Sequence, residues 1–210
     1  MTYPTDVGVV AMYADRDSAR RLAAKLAEDR SASARSVTLH TALEGHTGDF
    51  LGVVRATGEP AELAEKLADA ASIGLYATTF RRVKEHAETW SVGEETPGLG
   101  LLFPVVRRGD LTHEQFDSHW RDNHAPLALR HHVGMWDYVQ CSFSGSFDGS
   151  LTTPSAALDG MAICKFPTVA DFKERFFDSD EGREAIWADV ARFSDPNGPR
   201  AMRMVERILR

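Results

Sequence analysis

Apolar positions follow strand-like and helix-like spacings in an order that predicts βαββαβ over the first part of the chain. The short apolar run "VGVVAMYA" predicts a buried strand, and "DRDSARRLAAKLAEDR" then carries leucines and alanines at helical spacing behind Asp15 or Asp17 as a cap. The alternating segments "RSVTLHTALEG" and "DFLGVVRATG" flank the turn-rich "GHTGD" and predict a hairpin. A helix with Pro60 near its first turn and the strand "IGLYATTFRRVKE" complete the unit.

The same order returns after "WSVGEETPGLG", whose glycines and proline indicate a linker. The strand "GLLFPVVRR" precedes a helix that Thr112 caps, with Gln115 completing a capping box. Two strands, "MWDYVQCSFSG" and "LDGMAICKF", lead to a helical segment interrupted near residues 178–182, and "RAMRMVERILR" predicts the last strand. We therefore predict domains at residues 1–89 and 99–210, joined by a linker at 90–98.

Two βαββαβ units indicate an α+β protein made of two ferredoxin-like halves. Each half has an antiparallel sheet with helices on one face, so its other face needs a cover. The two sheets of this chain can supply that cover for each other, either face to face or curled toward a barrel. The sequence thus predicts a fused, intramolecular version of a dimeric α+β barrel.

Composition and charge narrow the class of partner. The net charge is −7, which argues against nucleic acid as a partner because such binding needs clustered Lys and Arg. The N-terminal residues do not resemble a secretory signal, and no apolar run approaches the roughly 20 residues of a membrane span, so we expect a cytoplasmic protein without a membrane partner. Cys141 and Cys164 lack CxxC spacing and are expected as reduced thiols on paired strands, either as neighbours or as small buried hydrophobes.

The segment "FDSHWRDNHAPLALRHH" concentrates histidines and raises the question of a metal site. His119 and His124 are five residues apart, which places them about 140° apart around a helix, so they cannot share a metal ion directly. His131 and His132 are adjacent and point apart, with either role open to them, and no carboxylate cluster at ligand spacing accompanies these histidines. We predict no metal site, and we expect His119 at the surface.

His124 stands out by its neighbours. Phe116 and Trp120 precede it at intervals of four residues, so the three form one helical stripe. Because Ala125 precedes Pro126, the helix is expected to stop or bend there, with His124 at a C-terminal end whose macrodipole stabilises a protonated imidazole. The stripe is either core packing that ends in a hydrogen-bonded histidine, or it places an imidazole in a partly apolar cleft, tuned for proton transfer.

The strand after this helix offers walls for such a cleft. Trp136, Tyr138 and Gln140 alternate onto one face. If that face points into the space between the two sheets, it supplies an aromatic wall with a phenol and an amide; otherwise these residues are core packing. Phe103, on the preceding strand, is a further candidate wall residue.

Phe116, Trp120, His124 and Pro126 match the pattern F-x-x-x-W-x-x-x-H-x-P, which resembles the signature of the EthD family. A second match lies in "FFDSDEGREAIWADVARFSDP", at Phe176, Phe177, Ser179, Glu181, Gly182, Asp189, Phe193 and Asp195. The two motifs cover residues 99–210, whereas the first half of the chain lacks both. The resemblance implies the dimeric α+β barrel superfamily and makes His124 the best candidate for a functional imidazole.

Three functions follow from this resemblance. The first is a lyase, cyclase or isomerase that needs no cofactor and acts on a small aromatic or polyketide-like molecule. His124 would act as general acid or base and Tyr138 as a donor to a developing oxyanion. The second is a non-catalytic protein that binds a hydrophobic metabolite, and the third is a haem- or metal-dependent oxidoreductase. A homodimer of the fused chain is compatible with all three.

Overall fold

The computed structural model describes residues 2–147 and 158–210 of the chain. Its strands and helices alternate in the order predicted from the apolar pattern, and the α+β class is confirmed. The elements are β1 (Thr5–Tyr13), α1 (Arg16–Glu28), β2 (Ser36–Ala42), β3 (Gly52–Thr57), α2 (Pro60–Leu67), β4 (Ser72–Lys84), β5 (Leu99–Val105), α3 (His113–His119), a π-helical turn (Trp120–His124), α4 (Ala125–His131), β6 (Asp137–Ser146), β7 (Gly160–Phe166), α5 (Val169–Arg175), α6 (Asp180–Phe193) and β8 (Met202–Ile208).

Local capping fixes where the helices begin. The Asp15 carboxylate accepts a hydrogen bond from the backbone N–H of Ser18 at 2.7 Å and starts α1. The predicted capping box at Thr112 is present at the start of α3. The helical segment after β7 is interrupted as predicted, because Ser179 caps a new helix, α6, after α5 has ended.

The eight strands form a closed barrel in the order β1-β3-β2-β8-β5-β7-β6-β4. The first four strands occupy one continuous arc and the last four the other, and the antiparallel pairs β2–β8 and β4–β6 join the two arcs. Closure removes every exposed sheet edge, which stabilises the sheet without a second subunit. Of the two arrangements that the sequence left open, the sheets adopt the curled one.

Helices cover the outside of both arcs, so the residues that the structure describes form three apolar regions. We call α1 and α2 with the outer face of β1–β4 the first helix layer, and α3–α6 with the outer face of β5–β8 the second helix layer. The third region is the barrel interior. On β6, Val139, Cys141 and Phe143 point into the barrel interior, whereas Tyr138 packs in the second helix layer.

This arrangement answers a question that the sequence left open, namely where the Tyr138 face of β6 points. The alternation on β6 is as predicted, but Tyr138 and Gln140 face the helices instead of the space between the sheets. The reason is hydrogen bonding: the backbone carbonyl of Trp120 and the guanidinium of Arg81 give the buried Gln140 amide its partners. The apolar residues of β6 fill the barrel interior in their place.

The two cysteines are separated by the same alternation. Cys164 is paired with Tyr138 across β6 and β7 and lies in the second helix layer, while Cys141 is paired with Met161 and faces the barrel interior. Both are free thiols, and burial raises the pKa of Cys141 to about 12. They lie on paired strands as expected but are not neighbours.

One end of the barrel interior carries buried charge where β2 meets β8. The Glu206 carboxylate accepts hydrogen bonds from the Lys165 ammonium at 2.8 Å and from the Thr96 hydroxyl at 2.9 Å, and Nδ1 of His40 lies 3.5 Å from its other oxygen. Burial lowers the pKa of His40 to about 3, so its imidazole is neutral at physiological pH. These contacts join the two arcs of the barrel. Within the described residues, no helix combines the length and the apolar character needed to cross a bilayer.

Candidate functional site

The histidine segment forms one continuous helical stretch with a π-helical turn in its middle. The backbone N–H of Ala125 bonds to the Trp120 carbonyl, five residues back, and Ala125 has helical angles of φ −60° and ψ −46°. The helix therefore does not stop before Pro126, which was one of the two outcomes expected, and a widened turn precedes the proline. Pro126 falls in the first turn of α4, directly after the widened turn, and the chain remains helical through it. Such turns occur frequently at functional sites.

Side chains from the sheet hold the π-helical turn in place. The Gln140 amide nitrogen donates to the Trp120 carbonyl at 2.9 Å and to the Tyr138 hydroxyl oxygen at 3.1 Å, while its carbonyl oxygen accepts from Arg81 at 3.1 Å. Gly160 on β7 makes room for the turn, because a side chain there would collide with the Trp120 ring. Gln140, predicted as a ligand contact, does not line the pocket and instead holds Trp120 and Tyr138 through these hydrogen bonds.

His124 forms a dyad with Asp189 of α6. Its Nδ1 lies 2.9 Å from one carboxylate oxygen of Asp189, and Nε2 of His119 lies 2.8 Å from the other. A carboxylate only accepts hydrogen bonds, so Nδ1 of His124 carries the hydrogen and Nε2 of the neutral ring is left as an acceptor. Within the described part of the chain, no protein group bonds to that Nε2.

Asp189 replaces the electrostatic partner that the sequence suggested. His124 lies within a continuous helix, so the proposed stabilisation by a helix C-terminus is wrong, and its Nδ1 meets a carboxylate instead. Burial alone would raise the pKa of Asp189, but the hydrogen bonds from His124 and His119 outweigh it and hold that pKa below its ordinary value. His119, expected at the surface, is only about one-fifth exposed and shares this carboxylate.

A pocket of about 190 Å³ lies between the helices and the sheet of the second helix layer. Apolar and aromatic side chains provide most of its wall, chiefly Phe103, Trp120, Met135, Phe176, Phe177, Ile186, Trp187, Val190 and Phe193. The polar groups at its surface are few and come from His124, His132, Tyr138, Cys164 and Ser194. An apolar wall with a few polar groups is the usual character of a small-molecule site.

Tyr138 is a buried side chain of the pocket wall. Its side chain is 2% exposed, and its oxygen accepts the hydrogen bond from Gln140 described above. The phenol hydrogen has no acceptor within residues 2–147 and 158–210. Burial raises the pKa of Tyr138 well above its ordinary value, so the phenol stays a donor at physiological pH.

His132 is the second histidine of the pocket, and the sequence left its role open. It ends α4, and its Nδ1 lies 2.7 Å from the backbone carbonyl oxygen of Phe176. Burial lowers the pKa of His132, although the bond to Phe176 opposes that shift. The adjacent His131 points elsewhere, to the Asp178 carboxylate at 3.0 Å.

The structure brings some of the predicted site residues together and separates others. Phe103, Trp120, His124 and Tyr138 line one pocket. Phe116 is fully buried beside Trp120, with ring centroids 5.4 Å apart, and supports the pocket wall from within the layer. The remaining candidate on β6, Gln140, lies behind that wall.

Trp136 was predicted as a wall residue and does not line the pocket. It immediately precedes β6 and stacks on His86, with ring centroids 4.0 Å apart, at the end of the barrel near Trp90. The strand alternation predicted from the sequence does not extend to Trp136, because its backbone N–H bonds to Lys165 outside the regular register.

Sequence reasoning missed Asp189 and His132 as parts of the site. Asp189 was among the positions matched to the second EthD motif, but nothing in its spacing showed that it would reach His124, 65 residues earlier. The phenylalanines Phe176 and Phe177 were matched in the same way and prove to be pocket walls beside His132.

Comparisons with known proteins agree with this geometry. Residues 108–197 match the family model of the EthD domain, which spans the histidine segment and Asp189. The fold and the pocket thus define an α+β barrel protein with a pocket for a small molecule under the helices of its second half. The matched residues fall in the half that carries the two motifs, as the resemblance implied.

Two solved structures resemble the whole chain. One is a protein from Fusobacterium nucleatum subsp. nucleatum ATCC 25586, provisionally described as a monooxygenase, with a TM-score of 0.50 and 6% identity over 100% of this chain and 94% of that one. The other is a point variant of chlorite dismutase from Candidatus Nitrospira defluvii, with a TM-score of 0.48 and 10% identity over 100% and 93% of the two chains. Among curated proteins, none matches the sequence of this chain significantly. At such low identity the likeness to the Fusobacterium protein concerns the fold alone.

Proposed function

We propose that the pocket of the second helix layer is the active site of a cofactor-independent lyase, cyclase or isomerase that works by histidine acid–base catalysis. The observation that carries the proposal is the His124–Asp189 dyad, whose free Nε2 belongs to a pocket-lining ring. Asp189 fixes the tautomer in which Nε2 accepts a proton and stabilises the imidazolium that results. His124 can therefore take a proton from a bound ligand or return one.

The size and chemistry of the pocket limit the substrate. A cavity of about 150 Å³ holds benzene, so 190 Å³ suits one substituted ring and is too small for a fused polyketide. Within the described residues, no lysine or arginine lines the pocket, so an anionic phosphate or carboxylate would be buried without a partner. We therefore favour a neutral, single-ring aromatic or enolisable compound as the substrate.

Tyr138 supplies the complementary group. Removal of a proton next to a carbonyl places negative charge on the carbonyl oxygen, and a fixed hydrogen-bond donor at that oxygen lowers the barrier. The phenol hydrogen of Tyr138 is free for this purpose, because its oxygen is already held by Gln140. The aromatic walls exclude water and orient the ring.

The first half of the chain has a structural role in this proposal. We infer that the chain is a tandem of two ferredoxin-like units that close one intramolecular barrel. The strand order supports this inference, since β4-β1-β3-β2 in the first arc has its counterpart in β8-β5-β7-β6 in the second. The first unit then replaces the partner subunit that would otherwise close the sheet.

Isomerisation of cyclohex-3-en-1-one to its conjugated isomer tests the proposal, because this neutral ring requires only proton removal and return. We expect the wild-type chain to accelerate the reaction and His124→Gln to lose at least about 100-fold of the rate, the usual share of one acid–base group. The matched control is His119→Gln, which also removes a bond to Asp189 but does not alter the pocket. Full activity of folded His124→Gln would exclude the role of His124.

The same experiment separates catalysis from simple binding. If the wild-type chain binds the ketone, as measured by calorimetry, without accelerating its isomerisation, the pocket serves a non-catalytic binding protein. Unchanged affinity in His124→Gln would strengthen that conclusion, because a binding pocket with apolar walls does not depend on a proton acceptor.

A further inference from the structure

His132 is placed as a ligand contact and not only as the end of a helix. Its ring is buried, lines the same pocket as His124, and packs against Phe176 and Phe177 with centroids 4.6 and 5.1 Å away. Two histidines from one helical stretch, separated by α4, thus border one small cavity.

The tautomer of His132 is fixed by its backbone partner. A carbonyl oxygen only accepts hydrogen bonds, so the contact of 2.7 Å to Phe176 requires the hydrogen on Nδ1. Nε2 of the neutral ring is then an acceptor, and no protein group in the described part of the chain satisfies it. An unpartnered acceptor on a ring that lines a pocket is suited to a ligand that donates a proton or a hydrogen bond.

We propose that His132 is a second acid–base residue of the pocket, which takes a proton from the bound ring while His124 delivers one. The inference rests on the proposed function, since it concerns the same ligand and the same cavity. The two rings differ in their partners: Nδ1 of His124 meets the Asp189 carboxylate, whereas Nδ1 of His132 meets a neutral backbone carbonyl.

The proposed step is balanced in protons and electrons. For cyclohex-3-en-1-one, Nε2 of neutral His132 takes the C2 proton, and the electron pair of that bond forms the dienolate. Nε2–H of His124, which has taken up a proton from water before the ligand enters, then protonates C4 and gives the conjugated ketone. The products of the step are a His132 imidazolium and a neutral His124, and exchange of protons with water restores both when the ligand leaves.

The electrostatic surroundings of His132 agree with the role of a base. Burial lowers its pKa, and nearby His124 and His131 lower it further, against the opposing effects of the Phe176 carbonyl and Asp178. The neutral form, which the step requires, is therefore the resting form at neutral pH.

His132→Asn is the decisive variant, because its amide nitrogen can replace Nδ1 as donor to the Phe176 carbonyl but nothing replaces Nε2. We expect an unfolding temperature close to that of the wild type and at least a tenfold loss of cyclohex-3-en-1-one isomerisation. His132→Gln is the reverse control, since its longer amide reaches the Nε2 position and gives up the bond to Phe176. Wild-type turnover by a folded His132→Asn protein would overturn the proposal.

Nitrogen NMR of the ¹⁵N-histidine-labelled wild-type chain tests the inference without any variant. 4-Nitrophenol serves as the probe, because it is a single ring with one hydroxyl donor. Shifts of Nε2 in both His124 and His132 upon its addition would support the proposal. A shift in His124 alone would overturn the role of His132 and leave the proposed function intact. No shift in either ring would overturn both.

Discussion

The two helix layers lie on the outside of the same barrel, yet one is filled and the other contains a pocket. The first helix layer consists mainly of small and branched aliphatic side chains, including Val9, Ala19, Leu22, Ala23, Leu26, Val54, Leu63 and Leu67. The second is built from large rings, including Phe116, Trp120, Tyr138, Phe166 and Phe193. Aliphatic side chains interdigitate closely in protein interiors, whereas the ring-rich layer is the one that borders the pocket of about 190 Å³.

The difference extends to the polar atoms in each layer. The hydroxyl of Tyr13 in the first layer donates to the backbone carbonyl of Leu67 at 2.7 Å, so its hydrogen is already used. The hydroxyl of Tyr138 in the second layer accepts from Gln140 and keeps its hydrogen. A fold can therefore bury the same side chain either for stability or for binding, and the partner of the hydroxyl distinguishes the two.

Truncation of one large side chain in each layer is the test with the largest expected effect on the difference in packing between the two layers. Leu67→Ala in the filled layer removes a fully buried side chain and should lower the free energy of unfolding by about 2–5 kcal/mol. Trp187→Ala at the pocket should cost less than about 1 kcal/mol despite the larger side chain, because Trp187 is 58% exposed. Urea denaturation of both variants provides the measurement. A greater loss for Trp187→Ala would mean that the second layer is as tightly packed as the first.

Enlarging a side chain probes the same contrast from the opposite direction. Ala23 of α1 and Ala128 of α4 are both buried on helices, but only Ala128 borders the pocket. Ala23→Leu should destabilise the protein by about 1–3 kcal/mol through overpacking. Ala128→Leu has space for its three added carbons, so we expect a smaller loss of stability together with loss of 4-nitrophenol binding. If Ala128→Leu lost as much stability as Ala23→Leu and still bound 4-nitrophenol, the idea that Ala128 borders an open binding pocket would be contradicted.

The fold was largely predictable because its signals are local. Alternating strands, the Thr112 capping box and the interruption before α6 all depend on residues close in sequence. Closure of the barrel was left open between two arrangements, since it depends on the pairing of β2 with β8 and of β4 with β6 across the whole chain. No local pattern specifies such distant pairs.

The site was less predictable for a related reason. The stripe of Phe116, Trp120 and His124 could be recognised in the sequence, because its members are four residues apart. A residue before proline disfavours the helical conformation, and the prediction at Ala125 rested on that local preference. Tertiary contacts, among them the Gln140 bond to Trp120, outweigh the preference and hold a π-helical turn there, which local sequence does not reveal. The approach of Asp189 to His124 depends on how α6 packs, which helical spacing alone does not determine.

Removal of the hydroxyl oxygen from Tyr13 or Tyr138 is the test of the two layers with the smallest expected effect on stability. Tyr13→Phe leaves the Leu67 carbonyl without its donor, so we expect a loss of about 1 kcal/mol in unfolding free energy and unchanged cyclohex-3-en-1-one isomerisation. Tyr138→Phe should cost less stability, because the Gln140 amide keeps its bond to the Trp120 carbonyl. It should nevertheless slow isomerisation at least tenfold, since the oxyanion loses its donor. Tyr13→Phe should therefore lower mainly the stability, and Tyr138→Phe mainly the isomerisation rate. If Tyr138→Phe behaved like Tyr13→Phe in both measurements, the phenol of Tyr138 would be a packing group, and the distinction between the two layers would be one of volume only.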